Sequence, residues 1–293
     1  MADRSCIGID GSPIDPKIVL TEFGKILDTD YRKVPPEELI EVRAFIDLFE
    51  MAPKAMLDRE QFDCVELSEG LAISLPSAPA VGLNRILGLR DTGDLDTAFN
   101  WMSRKSGRRF LQIDDGAISE EIGQWIADRA LVEEGSGWVK LIRPAPAAAL
   151  PGIEGVTVRR AVPRDAELAG SLMCDGFGFP RQLGPIWSAT VSSENWVCLL
   201  AEVDGQVVGT GLMFMAEGLA WLGAGTTIPQ YRNRGVQKAI IQGRLNLGMA
   251  HGVSIFVVET AHPEPGNFNA SFNNLTNTRF KRVYSRRNLR LPD

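Results

Sequence analysis

The chain has 293 residues, 44% of them hydrophobic and 23% charged, with a net charge of -6 at neutral pH. That length holds two ordinary domains or one large one, and the composition excludes disordered and fibrous classes. The acidic balance argues against a general nucleic-acid binder and is compatible with a cationic acceptor such as an amine.

The first 31 residues begin with Gly11, Pro13 and Pro16 as breakers, and 17–27 are expected to form a short helix. Pro35 and Pro36 suit the start of a helix over 35–50, with Leu39, Val42, Ile46 and Phe49 on one stripe. Strand-like runs follow at 64–75, interrupted at Gly70, and at 80–89. A helix is expected over 94–103, a strand over 108–113, a helix over 119–130 and a strand over 138–142. Ser119 caps the second of these helices, and Glu120 and Glu121 sit in its first turn. Residues 143–152 are small and proline-rich and read as an interdomain linker. A strand over 156–162 and a helix over 164–174 open the second half. Strands over 196–203 and 206–214 pair across Asp204-Gly205, a dipeptide suited to a type I′ turn. Strand 219–226, helix 235–249, strand 253–258, helix 269–278 and strands 279–284 and 287–291 complete an α/β pattern.

Cys6, Cys64, Cys174 and Cys198 are scattered without CxxC spacing, so no metal and no redox pair are expected. With early polar residues in place of a signal peptide and no apolar run of roughly 20 residues, a cytoplasmic protein with no membrane partner is expected.

The clearest chemistry lies between Gly225 and Ile241, where a strand runs through a short loop into a long helix. The first backbone N–H groups of a helix have no partner inside it, and the helix dipole favours an anion there. Gly235 allows a tight bend and close approach of a ligand. Arg232, Arg234 and Lys238 add positive charge around the same point, so the loop is a phosphate or pyrophosphate cradle. Neither GxxxxGK[ST] nor GxGxxG is present.

Arg232, Gly235 and Gln237 fall on the three defined positions of R/Q-x-x-G-x-G/A, and the segment resembles the acyl-CoA-binding motif of the GNAT superfamily of N-acetyltransferases. Gln237 stands where a small residue is usual. Ser271, Asn274 and Phe280 resemble the superfamily's S-x-x-N-x-x-x-x-G-F ending, with Arg279 in place of the glycine. The resemblance covers roughly 155–291. It implies an α/β (α+β) fold with a mixed, mostly antiparallel sheet flanked by helices. It also implies acetyl-CoA as acyl donor, held by Thr226, Thr227, Ile228, Arg232, Asn233, Arg234, Gly235, Val236, Gln237, Lys238, Ser271 and Asn274. The acceptor it implies is an amine of a small molecule or peptide, which attacks the thioester directly in a ternary complex.

In this superfamily the thioester lies where the strand before the cradle and the strand after its helix splay apart. The strand over 219–226 holds no carboxylate, so the general base is sought elsewhere. Glu259, at the end of an apolar strand, is the first candidate and His262 the second. Leu275 occupies the position at which many members carry a tyrosine acid, leaving Tyr284 or Ser271 for that role. Trp187 and Trp196 read as core or rim aromatics, and Phe177 and Phe179 as either core or acceptor-site lining. Arg279, Lys281, Arg282, Arg286, Arg287 and Arg290 read as the exposed face of a strand, such as an edge strand carries.

The first half repeats the strand–helix–strand–helix–strand order of the second, as a degenerate GNAT-like domain would. The resulting division is 1–143 for that domain, 144–154 for the linker and 155–293 for the acyl-CoA-binding domain. In the loop 90–96, Asp91, Asp94 and Asp96 stand where a cradle needs positive charge, so one coenzyme site per chain is expected. The alternative function is a non-catalytic acyl-CoA-binding or regulatory module. A homodimer is compatible with either.

Overall fold

The computed structural model describes residues 33–264, 266 and 268–293; the helix expected over 17–27 and Cys6 lie outside the described residues. Helix α1 (Pro36–Glu50) starts at the expected proline. Its buried face is rotated from the expected one: of the expected stripe Val42 is buried but Leu39, Ile46 and Phe49 are half-buried, while Glu37, Glu41, Ala44, Phe45 and Leu48 are buried. The reason is electrostatic, because cations on the sheet receive Glu41.

Helix α2 (Lys54–Glu60) leads into the hairpin β1 (Asp63–Leu67) and β2 (Gly70–Ser74), which breaks before Gly70 as expected. The run 80–89 is strand only over β3 (Asn84–Leu87). The Asn84 amide donates to Leu75 O and Ala78 O and accepts from Leu75 N–H, folding the preceding loop back into a single 3-10 turn. Helix α3 (Thr92–Met102), strand β4 (Phe110–Asp114), helix α4 (Glu120–Asp128), the short β5 (Val132–Glu133) and β6 (Trp138–Pro144) follow. Ser119 caps α4 as expected, accepting from Ile122 N–H.

The proline-rich stretch is pinned to the fold: Leu150 exchanges two hydrogen bonds with the Asn246 side chain, and Ala145 N–H donates to Ser254 O. Beyond it come β7 (Thr157–Arg160), α5 (Ala166–Phe177) and α6 (Gly184–Ala189). The hairpin β8 (Trp196–Val203) and β9 (Gln206–Ala216) turns at Asp204 and Gly205 with φ of 53° and 77°. Both central residues are left-handed, as a type I′ turn requires. The remaining elements are β10 (Leu219–Trp221), β11 (Thr226–Thr227), α7 (Val236–Ala250), β12 (Ile255–Ala261), α8 (Ala270–Asn277) and β13 (Lys281–Arg290). Instead of the two closing strands expected, β13 is one strand whose register shifts between Arg282 and Tyr284.

All the strands belong to one sheet, ordered β1-β2-β3-β4-β13-β6-β12-β10-β9-β8-β7, with β11 on β9 and β5 on β13. Its pairings are antiparallel except β3 with β4 and β10 with β12, and each parallel pair brackets one helix, α3 or α7. The last strand of the chain, β13, lies between β4 and β6, and β6 lies against β12. β13 is therefore central, and the basic ending is not wholly an exposed face: Arg286 is 1% exposed.

Arg286 is buried because it is paired. Glu41, fully buried on α1, accepts from Arg85 of β3 at 2.6 Å, from Arg286 of β13 at 2.8 Å and from Lys140 of β6. Arg85 also donates to Gln112 of β4, whose amide donates to Asn288 of β13 at 2.8 Å. Burial by itself would raise the Glu41 pKa, but the charges of Arg286, Lys140 and Arg85 outweigh it and hold the carboxyl well below its ordinary value. Glu37, one turn earlier, is the opposite case. Neither of its oxygens has a hydrogen-bond partner, and burial raises its pKa from 4.5 to about 7. Its own backbone N–H offsets burial in part, without the alignment of a hydrogen bond.

Replacing Glu41 with Gln leaves three buried cations facing a neutral amide. A loss of about 3–5 kcal/mol in urea unfolding is expected, the cost typical of breaking a buried pair. For Glu37 the folded state binds the extra proton between pH 4.5 and about 7, so its contribution weakens stability as pH rises through that window. Glu37→Gln should gain on wild type by on the order of 3 kcal/mol between pH 4.5 and 8. Denaturation midpoints of both proteins across that range test the difference.

Candidate functional site

Strands β10 and β12 stay paired only from Leu219–Ile255 to Trp221–Val257. Leu222 N–H then donates to Val257 O, and the strands part. β12 continues along β6, whereas the other chain bends at Gly223–Gly225 and rejoins β9 as β11. The single strand expected over 219–226 is thus two short ones. A Cβ at position 223 would lie 2.1 Å from the Trp221 ring, and Ala224 has a φ of 48°, so the bend is built around Trp221.

The gap opens into a cavity of about 420 Å³. Phe45 and Leu48 of α1 form one wall, and Phe177, Phe179 and Trp187 form another. The latter three rings stack in sequence, with centroids 5.6 and 5.9 Å apart. Trp221 meets Phe45 and Trp196 edge-on at 5.3 and 6.2 Å. Trp187, Trp196, Phe177 and Phe179 therefore combine a packing role with lining the cavity.

Glu259 lines the cavity from β12. Its Oε2 accepts from Lys140 Nζ and from Trp221 Nε1, both at 2.9 Å, which fixes the carboxylate's position. Lys140 belongs to β6 and also pairs with Glu41, so the site carboxylate is joined to the buried network of the first half. Ser271 and Leu275 of α8 and Gln237 of α7 line the same space. His262, Tyr284 and Asn274 are not among its lining. His262 places Nδ1 3.0 Å from Pro263 O. The Tyr284 hydroxyl donates to Glu38 at 3.2 Å, and burial and the Glu38 charge push its pKa well above 10. Asn274 is half-buried on α8, and its backbone carbonyl accepts from the Thr278 hydroxyl.

Arg232, Asn233, Arg234 and Lys238 are exposed around the start of α7. Asn233 and Gly235 are both left-handed, with φ of 63° and 78°, and no side chain caps the helix. The first N–H groups of a 15-residue helix are therefore left for an anion from outside. Arg234 is steadied by Asp204 at 3.1 Å, and Arg232 Nε reaches Thr227 O at 3.5 Å. Thr226 is buried, and Thr227 Oγ1 approaches Gln237 Oε1 at 3.5 Å. Val236 is 2% exposed and Ile228 is half-buried, so their side chains serve the core and only their backbone faces the loop. The matching start of α3 differs: Asp91 accepts from Gly93 N–H at 2.8 Å and Asp94 N–H at 3.2 Å, occupying the place of an anion.

Lys140, Phe45, Trp138 and Arg244, all at or next to the cavity, were not legible as site residues. Arg244 did leave a trace in sequence, as a charge on the face of α7 that also carries Ile240 and Ile241. The others come from the first half and reach the site only through the strand order.

No family model and no curated protein matches the chain. Among solved structures it is similar to a GCN5-related N-acetyltransferase from Sphaerobacter thermophilus, with 17% identity, 76% of this chain and 81% of that one covered, and a TM-score of 0.55. A GNAT-family acetyltransferase from Colwellia psychrerythraea matches at 12% identity over 95% and 98% of the chains, with a TM-score of 0.54. A tandem GNAT protein from the clavulanic acid biosynthesis pathway matches at 11% identity over 95% of both chains, with a TM-score of 0.58. At these identities the likeness is one of fold, and it extends over most of the chain. Among the described residues no group of three or more His, Cys, Asp or Glu is placed to hold a metal, and no helix is long and apolar enough to cross a membrane.

Proposed function

We propose that the chain is an acetyl-CoA-dependent N-acyltransferase whose acceptor is an amine, on a small molecule or peptide, joined to an apolar body. The observation that carries this reading is the uncapped, basic start of α7 beside the cavity at the β10–β12 splay. The residues fit the donor: a left-handed loop and free helix N–H groups suit a pyrophosphate, with Arg232, Arg234 and Lys238 around it. Bound acetyl-CoA supplies the thioester. Glu259 takes the proton that the acceptor ammonium must lose, and Lys140 and Trp221 hold its carboxylate in place. Ser271, which lines the same cavity, relays to the leaving sulfur the proton that Glu259 has taken. The aromatic walls bind the apolar part of the acceptor and exclude water.

The same reading treats 1–143 and 155–293 as tandem units joined by 144–154, with one donor site. Strand order supports it, since β1-β2-β3-β4 and β8-β9-β10-β12 mirror each other about the β13–β6 pair. The Asp91 cap supports a silent first half. Leu275, apolar where a hydroxyl acid is usual, favours a second reading in which the chain binds acyl-CoA without turnover.

Calorimetric titration of the full chain with acetyl-CoA should show one site per chain. Arg232→Ala should weaken it about tenfold or more, the worth of a charged hydrogen bond, and Gly235→Asp should abolish it. No binding by wild type, or unchanged binding in both variants, refutes the proposal. In a thioester-consumption assay over a panel of arylalkyl amines, Glu259→Gln should lose roughly 10²–10⁴-fold in turnover while retaining donor binding. Binding without turnover on any amine leaves the second reading standing.

A further inference from the structure

We propose that Arg244 and Gln237 form a carboxylate-binding subsite inside the cavity, so that one of the two reactants carries a carboxylate on its apolar body. Arg244 lies in the middle of α7, is 2% exposed and lines the cavity. Its Nη1 donates to Leu212 O at 2.9 Å and to Gly223 O at 3.1 Å, which fixes the guanidinium at the point where the strands part. Among the described residues no carboxylate pairs with it, and neither Nε nor Nη2 has an acceptor. Burial alone lowers its pKa from 12.5 to about 9, with no neighbouring charge contributing.

An unpaired buried cation is costly, and proteins ordinarily satisfy one with a carboxylate or a full set of carbonyls. This chain does so elsewhere: Arg85 and Arg286 share Glu41, and Arg109 is held by four backbone carbonyls. Arg143 also lacks a carboxylate, but it does not line the cavity. Arg244 is the buried arginine with open donors facing a space of ligand size.

A second donor stands beside it. Gln237, Ile241 and Arg244 follow one face of α7, and all three line the cavity. Gln237 Nε2 lies 2.5 Å, and Arg244 Nη2 3.5 Å, from where a Cβ on residue 225 would be. The glycine at 225 is what lets the Gln237 amide pack so close to the backbone, and the two donors converge on that point at the cavity wall. A charged and a neutral N–H donor together match the two oxygens of a carboxylate. The surrounding wall is apolar, so the matching ligand is a carboxylate on an aromatic or aliphatic body.

The chemistry is shared by two sources: an acyl group ending in a carboxylate, or an acceptor amine that also bears one. Only this choice of source rests on the acyl-transfer reading. The probe is phenylacetate, with the isosteric phenylacetamide as neutral control, titrated calorimetrically into the full chain. Phenylacetate should bind about tenfold or more tighter than the amide, and Arg244→Met should erase the preference. Gln237→Leu, which leaves the guanidinium anchored, should weaken phenylacetate about threefold or more and the amide little. Equal binding of the two probes, no binding of phenylacetate, or an undiminished preference in either folded variant overturns the subsite. Displacement of phenylacetate by acetyl-CoA assigns the carboxylate to the donor's acyl group, and simultaneous binding assigns it to the acceptor. A chain that binds phenylacetate through Arg244 but not acetyl-CoA refutes acyl transfer and retains the subsite.

Discussion

The carboxylate of Glu41 holds the centre of this molecule together. It reaches from α1 to cations on β3, β6 and β13, three strands far apart in the chain. Taking Glu41, Arg85, Lys140, Arg286 and Glu259 out of water costs several kcal/mol per ion, and the arrangement is tolerable only because each charge meets an opposite one. Its consequence is geometric. With the Glu37–Glu41 face turned to the sheet, Phe45 and Leu48 on the same helix must point into the gap beside Trp221, and they become a wall of the cavity. Lys140 extends the network one step further, to Glu259. The cavity carboxylate is thus positioned by the same charges that seat the first helix.

The ends of α3 and α7 show how one backbone arrangement takes on two roles. Each helix bridges a parallel strand pair and presents unpaired N–H groups at its start. In α3 the chain supplies its own anion, Asp91. In α7 a glycine stands at that position, basic side chains surround it, and the pinned segment before β7 brings Ile153 within 2.8 Å of where a Cβ on Gly235 would be. Any side chain there meets both a left-handed backbone and an occupied neighbour, so the cradle is kept open by sterics as well as charge.

The placement of β6 and β13 decides which residues make the site. β6 follows the first half in sequence yet pairs with β12, and β13 closes the chain yet pairs with β4. Residues 155–293 alone would leave β12 without the strand that carries Lys140, and would leave the cavity without Phe45, Leu48 and Trp138. Buried arginines at two places then divide the labour: Arg85 and Arg286 under α1 are neutralised within the protein, and Arg244 at the splay is not.

Local chemistry was legible in the sequence. The Asp204-Gly205 turn, the Ser119 cap, the helix beginning after Gly235 and the helix over 269–278 all depend on neighbours a few residues apart, and all appear in the structure near their expected bounds. Several readings failed, and two of them share one physical reason. The face of α1 and the exposure of Arg286 were set by partners more than 40 residues away, where hydropathy and propensity carry no information, whereas the break in 219–226 comes from the bend packed around Trp221 and the return to β9. By itself the sequence determined most of the secondary elements, though not the short α2, β5 and α6, and the basic, glycine-bearing start of α7. Only the tertiary structure decided that Lys140 steadies Glu259, that aromatics from both halves enclose one cavity, and that Arg244 faces it unpaired, because strand order, not chain order, sets which charges meet.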